Sequence, residues 1–380
     1  MRKRLLHTPE GVRDIYGTEY VRKRIVQQKL QETIQSFGYQ EIQTPTFEFF
    51  DVFSREIGTT PSKDLYKFFD KEGNTLVLRP DFTPSIARCA SKYFMEETDP
   101  LRFCYTGSAF LNTSNLQGKW KEVTQVGAEL MNDHSVEADA EIISLVVEAL
   151  RATGLKRFQL TVGQVEYFKG LCQEAGLEEE TEYELREYIS GKNYFAAEEL
   201  LRERAVAEPY RGILLKVADM FGNMTSLAEA KALVRNPRSV RAIERLENIY
   251  EVLKYYRTAS FVSFDLGLLS KYRYYTGIIF KGYAYGVGSP VVTGGRYDHL
   301  LEQFGKNAPA IGCMVMLDEL LAALSGQKVE IPLPPPVRRL YYTSEDYPEK
   351  LAQAQALRAS RTAAELTPAR DGSRPETGGI

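Results

Sequence analysis

Tyr274-Tyr275-Thr276-Gly277-Ile278-Ile279-Phe280-Lys281-Gly282-Tyr283, followed by Gly286, Gly288 and the run Gly294-Gly295-Arg296-Tyr297-Asp298, is the stretch on which the fold turns. Residues 274–283 are rich in aromatic and β-branched side chains, which predicts a strand. On a strand Tyr274 and Tyr275 face opposite ways, so one can meet a ligand while the other packs. Gly294 and Gly295 either let backbone approach a ligand or make a bulge or tight bend, and the residues alone support both. Arg296 braces a site or forms a salt bridge in the core, and is not expected to be catalytic.

Upstream, the elements follow in an α+β order. Glu19–Phe37 carries Val21, Ile25, Leu30 and Ile34 on one stripe, a helix stopped by Gly38. A β-prone segment broken by Pro45 comes next. Residues 65–70 and 75–78 then read as two strands around a turn containing Gly73. A helix is expected from Thr83, with Pro84 at a tolerated early position. Leu101–Phe110 and Glu122–Leu130 read as an antiparallel pair around a polar loop at 112–118, Val136–Thr153 as an amphipathic helix and Arg157–Val162 as a strand. Antiparallel pairs followed by helices predict one large antiparallel sheet flanked by helices. Residues 170–256 change character, dense in Glu, Leu, Arg and Ala, and predict a helical insertion with breaks at Gly191, Gly212 and Gly222.

Phe261–Leu266, just before the opening stretch, and Gly312–Met316, downstream of the glycines, read as strands, and Leu317–Leu324 as a helix. The expected organisation is a core over 1–325 including the insertion, a Pro-rich linker over 326–336, and a short C-terminal remnant over 337–380. In that remnant, Arg338–Thr343 reads as a strand and Pro348–Arg358 as a helix, while the Thr-, Pro-, Gly- and Arg-rich last fifteen residues are expected to be disordered.

Composition narrows the function classes. Lys and Arg number 48 against 51 Asp and Glu, a formal charge of -3 that argues against a dominant nucleic-acid surface. Cys89, Cys104, Cys172 and Cys313 are far apart and form no CxxC, so free thiols are expected. With only His7, His134 and His299 and no Cys/His cluster, no metal site is expected, and the three histidines read as structural or exposed. MRKRLL at residues 1–6 has no apolar stretch after it, and no segment is apolar enough to span a bilayer, so a cytoplasmic protein is expected.

Taken in order, these segments resemble the class II aminoacyl-tRNA synthetase core, specifically histidyl-tRNA synthetase, over about residues 8–325. Phe37-Gly38-Tyr39 with Glu41-Ile42-Gln43-Thr44-Pro45 is similar to the first motif, which the resemblance makes a homodimer interface. Leu78-Arg79-Pro80-Asp81-Phe82-Thr83 resembles the segment that binds the substrate amino group. Tyr105-Thr106-Gly107-Ser108-Ala109-Phe110-Leu111 with Gln125-Val126-Gly127-Ala128-Glu129 resembles the second motif, and Gly312–Leu320 the third. Tyr274–Gly277 and Gly294–Asp298 resemble the histidine-specific segment and the glycine-rich strand after it.

Three residues depart from that pattern. Leu111, Ser270 and Glu319 stand where the resemblance implies the arginines of an active synthetase. Activating a carboxylate with ATP needs fixed cations around the phosphates, and these three side chains supply none. Ser270 is followed by Lys271-Tyr272-Arg273, and Arg102, Lys119 and Lys121 leave some positive charge near the expected ATP side. The family's anticodon-binding domain is expected to be absent or reduced to a stub after Pro336.

This combination is similar to the ATP phosphoribosyltransferase regulatory subunit family. The resemblance implies a non-catalytic chain without cofactor, required for the first step of histidine biosynthesis and for feedback inhibition by bound histidine. It implies a short-form ATP phosphoribosyltransferase catalytic subunit as partner, in a hetero-octamer of four plus four chains, and no tRNA. The implied histidine site is Asp81 and Glu129 for the ammonium, Gln125 for the carboxylate or amine, Tyr275 at the imidazole, and Thr83, Tyr105 and Tyr274 around them. Read as residues, Asp81 and Glu129 are also solvated strand-end carboxylates, Thr83 a helix cap, Gln125 a strand surface residue, and Tyr105 and Tyr274 core. The alternative function is a degenerate histidyl-tRNA synthetase-like ligase that activates an amino acid; an RNA-binding protein is weaker still.

Overall fold

The computed structural model describes residues 6–54, 60–113, 120–270 and 274–369. Most of the 112–118 loop, Lys119, Lys271–Arg273 and the far end of the C-terminal tail therefore lie outside the described residues. Contacts divide the described chain into two units, one within Met1–Asp14 and Ile25–Val329, the other within Ile15–Arg24 and Glu330–Ile380.

Fourteen strands occur among the described residues: β1 Gln40–Glu41, β2 Phe47–Phe49, β3 Lys67–Phe69, β4 Thr75–Leu78, β5 Leu101–Phe110, β6 Glu122–Met131 and β7 Phe158–Gln164, then β8 Phe221–Gly222, β9 Val262–Asp265, β10 Ile278–Ala284, β11 Val292–Arg296, β12 Ala310–Met316, β13 Arg338–Tyr342 and β14 Ala364–Pro368. The helices are α1 Gly17–Ser36, α2 Asp51–Ser54, α3 Thr83–Tyr93, α4 Val136–Ala152, α5 Val165–Glu174, α6 Glu179–Ser190, α7 Tyr194–Glu203, α8 Tyr210–Lys216, α9 Met224–Ala232, α10 Pro237–Tyr255, α11 Leu317–Gly326 and α12 Tyr347–Ala359.

The first unit is built on a nine-stranded sheet in the order β1-β5-β6-β12-β11-β10-β7-β9-β8. From β5 to β7 every pair is antiparallel, while β1/β5 and β7/β9 are parallel. The sheet is thus mixed rather than wholly antiparallel. Parallel neighbours need a long crossover, and the helices α5–α10 supply it between β7 and β9. A second small sheet, β2-β4-β3, precedes α3.

Local chemistry sets several ends. Ser135 caps α4 by accepting the Ala138 N–H at 3.0 Å. Asn236 caps α10 by accepting from the Ser239 N–H at 2.7 Å, with Pro237 at the first helical position. The core side of α4 holds Ile142, Ile143, Leu145, Val146 and Leu150, all within 1% exposure. Gly191 ends α6 as expected, but Gly212 lies inside α8, so it is not a break.

In the second unit β13 and β14 pair in parallel with α12 between them. Leu366–Pro368, assigned from composition to the disordered end, complete β14. The four cysteines are unbridged. Among the described residues no helix is long and apolar enough to cross a membrane.

Candidate functional site

Strand register brings the site together. Side chains alternate between faces, so the pairs Phe103–Glu129–Gly312–Gly295–Ile279 and Tyr105–Gly127–Met314–Thr293–Lys281 run across one face of β5, β6, β12, β11 and β10. Glycines at 127, 295 and 312 clear that face. A Cβ at Gly312 would overlap the Glu129 carboxylate, and one at Gly127 would overlap the Tyr105 ring. The pocket they floor is lined by Asp81, Thr83, Tyr105, Glu129, Tyr274 and Tyr275, with Tyr297 beside them, and its free volume is ≈ 20 Å³, room for about one water.

Glu129 is the centre. It is 1% exposed. Thr83 Oγ1 donates to its Oε1 at 2.7 Å, and the Tyr297 hydroxyl donates to Oε2. Burial pushes its carboxyl up to about 8 and the Asp81 charge pushes the same way, against the two hydroxyl bonds. Asp81 accepts the Thr83 N–H at 2.7 Å at the start of α3. Asp81 thus makes a turn onto the first residue of α3, whose N-cap position is Phe82, and the Thr83 hydroxyl is turned to Glu129. Neither carboxylate is a solvated strand end.

Tyr105 is stacked on Phe82, centroids 4.4 Å apart, with Arg79 over the other ring's face at 3.9 Å. Arg79 is spent on backbone, donating to the carbonyls of Thr44, Pro45 and Ser108. The Tyr105 hydroxyl and Gln125 Oε1 are buried without a hydrogen-bond partner among the described residues. Gln125 shares the face of Glu129 on β6 but does not line this pocket.

Tyr274 and Tyr275 correct the strand expectation. β10 begins only at Ile278, so the two tyrosines sit in the preceding loop. Their rings lie 4.2 Å apart and both line the pocket. Strand alternation does not govern them because the backbone there is not extended in the sheet. Tyr274 also packs on the apolar cluster around Phe82 and Tyr297, so its core role and its pocket role coexist.

Tyr297, which sequence reasoning passed over as a site residue, holds Glu129; its spacing of two from Gly295 on the same face was the available signal. Lys281 was also passed over. It shares the register row of Tyr105 and Gly127 on β10; burial raises the Asp265 carboxyl on β9, opposed by the Gly267 and Leu268 N–H bonds and, behind them, by the Lys281 charge.

The three neutral or acidic positions sit as follows. Leu111 follows β5, its N–H bonded to the Lys121 carbonyl at 2.8 Å. Ser270 is buried, and Glu319 is half-buried in the first turn of α11. Arg102, expected near the ATP side, belongs to the other face, where it forms paired 3.0 Å bonds to Glu141. Its neighbour Phe103 takes the ligand face, so alternation sends Arg102 away. Arg296 braces the same rear face. At 1% exposure it meets Asp139 of α4 at 2.7 Å, the Asp133 carbonyl at 3.0 Å and Asp298 at 3.0 Å.

The comparisons agree with this geometry. The histidyl-tRNA synthetase family model matches residues 11–320. An ATP phosphoribosyltransferase regulatory subunit of Acetivibrio thermocellus is 38% identical over 361 residues, 95% of this chain and 86% of that one. The chain belongs to the ATP phosphoribosyltransferase regulatory subunit family. A second member, from Ruminiclostridium cellulolyticum, is 40% identical over 84% of this chain and 76% of its own length. Among solved structures, an ATP phosphoribosyltransferase regulatory subunit/histidyl-tRNA synthetase from Bacillus halodurans C is 31% identical with a TM-score of 0.87, covering 96% of this chain and 93% of that one. A histidyl-tRNA synthetase from Nostoc sp. PCC 7120, at 17% identity and a TM-score of 0.80 over 98% of this chain and 87% of that one, shares the fold. Family membership accounts for the synthetase-like sheet and for the class II motifs lying in order along it.

Proposed function

We propose that this chain is the non-catalytic regulatory subunit of a short-form ATP phosphoribosyltransferase, holding histidine in the tyrosine-walled pocket and passing feedback inhibition to a catalytic partner. The observation that carries the reading is a contrast between the residues kept and the residues replaced. The amine end keeps two carboxylates, Asp81 and Glu129, with Thr83 and Tyr297 ordering the second. The positions where ATP phosphates need cations hold Leu111, Ser270 and Glu319.

An α-ammonium placed between the carboxylates gains charge-assisted bonds. The unpartnered hydroxyl of Tyr105 supports a polar ligand, because buried polar groups are ordinarily bonded. With a free volume of ≈ 20 Å³, the imidazole enters only if the Tyr274 and Tyr275 rings turn aside. The proposed assembly is a cytoplasmic hetero-octamer of four regulatory and four catalytic chains, with regulatory homodimers formed through the first motif and no tRNA bound.

Co-expression with a short-form catalytic subunit tests the reading. The two chains should co-purify, and the activity of the complex should fall in histidine. The isolated chain should give no histidine-dependent pyrophosphate exchange. Exchange above background would return the chain to the ligases, and a catalytic subunit fully active and histidine-inhibited by itself would leave this chain without the proposed role.

A further inference from the structure

We propose a second ligand site, for a phosphorylated sugar, in the cleft between α10 and the rear of the loops that carry Tyr275 and Tyr297. The cleft has two adjoining lobes of ≈ 490 and ≈ 520 Å³ that share His134, Glu166, Arg238, Thr276 and Asp298. That is the size range of small-molecule sites. It lies apart from the tyrosine-walled pocket, and the two line different side chains of the same segments.

Its cations and carboxylates are interleaved along the cleft. Arg238, Arg241 and Arg245 recur at helical spacing on α10 and all line the larger lobe. Arg245 is committed to Asp139 at 2.6 Å and to the carbonyls of His134 and Ser135. Arg238 holds Glu166 at 2.6 Å and Gln173 at 3.2 Å. Arg241 has no ion-pair or hydrogen-bond partner among the described residues. Lys169 adds a further cation in the smaller lobe, 3.5 Å from Glu166.

Among them stand carboxylates with fixed partners. The Asp298 carboxylate is held by the Thr276 hydroxyl at 3.0 Å, by Arg296 at 3.0 Å and by the Ala310 N–H at 3.1 Å. Glu166 is held by Arg238. Each carboxylate thus has named partners, and both line the two lobes. A bare anion would meet the carboxylates of Glu166, Glu244 and Asp298, which also line it. A neutral sugar would leave Arg241 unused. A phosphate on Arg241 and Arg238, with hydroxyls donating to Asp298 and Glu166, uses both kinds of group.

Calorimetry on the full chain at fixed ionic strength tests this, with ribose 5-phosphate, ribose and inorganic phosphate as probes. Ribose 5-phosphate should bind saturably at one site per chain, displaced by phosphate and not by ribose. Arg241→Gln should weaken it by ~10-fold or more, since a charge-assisted bond to phosphate is worth about 1.4 kcal/mol or above. Arg241 is exposed and unpartnered, so that variant folds, and Arg238→Gln gives a second readout. No saturable binding, equal affinity in both variants, or complete displacement by chloride at the same ionic strength would overturn the site. Tighter binding of an acidic peptide than of the phosphate ester would overturn the ligand class. Because no histidine is present in the measurement, its outcome is independent of the first pocket.

Discussion

At the scale of one residue, Glu129 joins an enclosed carboxylate to a proposed cationic ligand. With its carboxyl near 8 from burial and Asp81, most of it is protonated at neutral pH. An α-ammonium favours the ionised form, so binding should release a proton. Histidine affinity should then rise about fivefold between pH 7 and pH 8, as the ionised fraction grows, and the rise should vanish in Glu129→Gln. Calorimetry in buffers of different ionisation enthalpy reads both the affinity and the proton. A flat profile in the wild-type chain would remove Glu129 from the ammonium. The sign for stability is opposite. The folded carboxyl lies above its unfolded value of 4.5, so this group favours the fold at low pH. Its contribution is lost as pH rises from about 4.5 through about 8. Glu129→Gln should therefore lose less stability than wild type over that window in urea melts. Thr83 and Tyr297 temper the effect by donating to the carboxylate, and Tyr297→Phe should push the carboxyl higher still.

At the scale of elements, glycines on β12, β6 and β11 matter as much as the side chains they admit. Gly312→Ala places a methyl where the Glu129 carboxylate lies, with the Ala128 carbonyl also close. Overpacking of this kind costs about 1–3 kcal/mol, and urea unfolding should show it together with loss of histidine binding. On the rear face, Asp139 receives both Arg296 and Arg245 while itself 0% exposed. Asp139→Ala strands two arginines, one of them buried, and should cost about 3–5 kcal/mol; a loss under 1 kcal/mol would mean that the arginines find other partners. These elements differ in how far the sequence disclosed them. β5, β6 and α4 are long and locally patterned, so their residues name their own faces and the structure agrees almost residue for residue. β8 and β14 are not legible, because a short strand or a parallel edge is decided by a distant partner. Asp81, Thr83, Tyr105 and Glu129 were legible through their motif order. The shared orientation of Tyr274 and Tyr275 was not, since the loop that carries them departs from strand alternation, and the hydroxyl of Tyr297 reaches Glu129 only through tertiary packing.

At the scale of the whole molecule, a member of a regulatory-subunit family acts by changing what another chain does. That is allostery when two distinct sites exchange coupling energy, and the coupling is reciprocal. The proposed histidine pocket and a partner's active site are two such sites. Histidine must then bind the regulatory chain with a different affinity when the catalytic chains are held in their inhibited state, by about 5- to 150-fold for the usual 1–3 kcal/mol. Tyr275→Ala separates binding from assembly. Its ring lines the pocket and packs on Tyr274, on Ile279 of β10 and on Val165 at the start of α5. Size-exclusion chromatography should show the variant assembling with the catalytic subunit, and basal activity should stay close to wild type. The histidine concentration for half inhibition should rise by at least ~10-fold, since an aromatic wall contributes about 1.4 kcal/mol or more when buried against a ligand. If the variant chain no longer binds histidine while the assembled complex remains fully inhibited, the regulatory site lies on the catalytic chain. If assembly itself fails, Tyr275→Phe, which keeps the ring and removes only the hydroxyl, restores the test: inhibition should then track histidine affinity measured on the isolated regulatory chain, step for step.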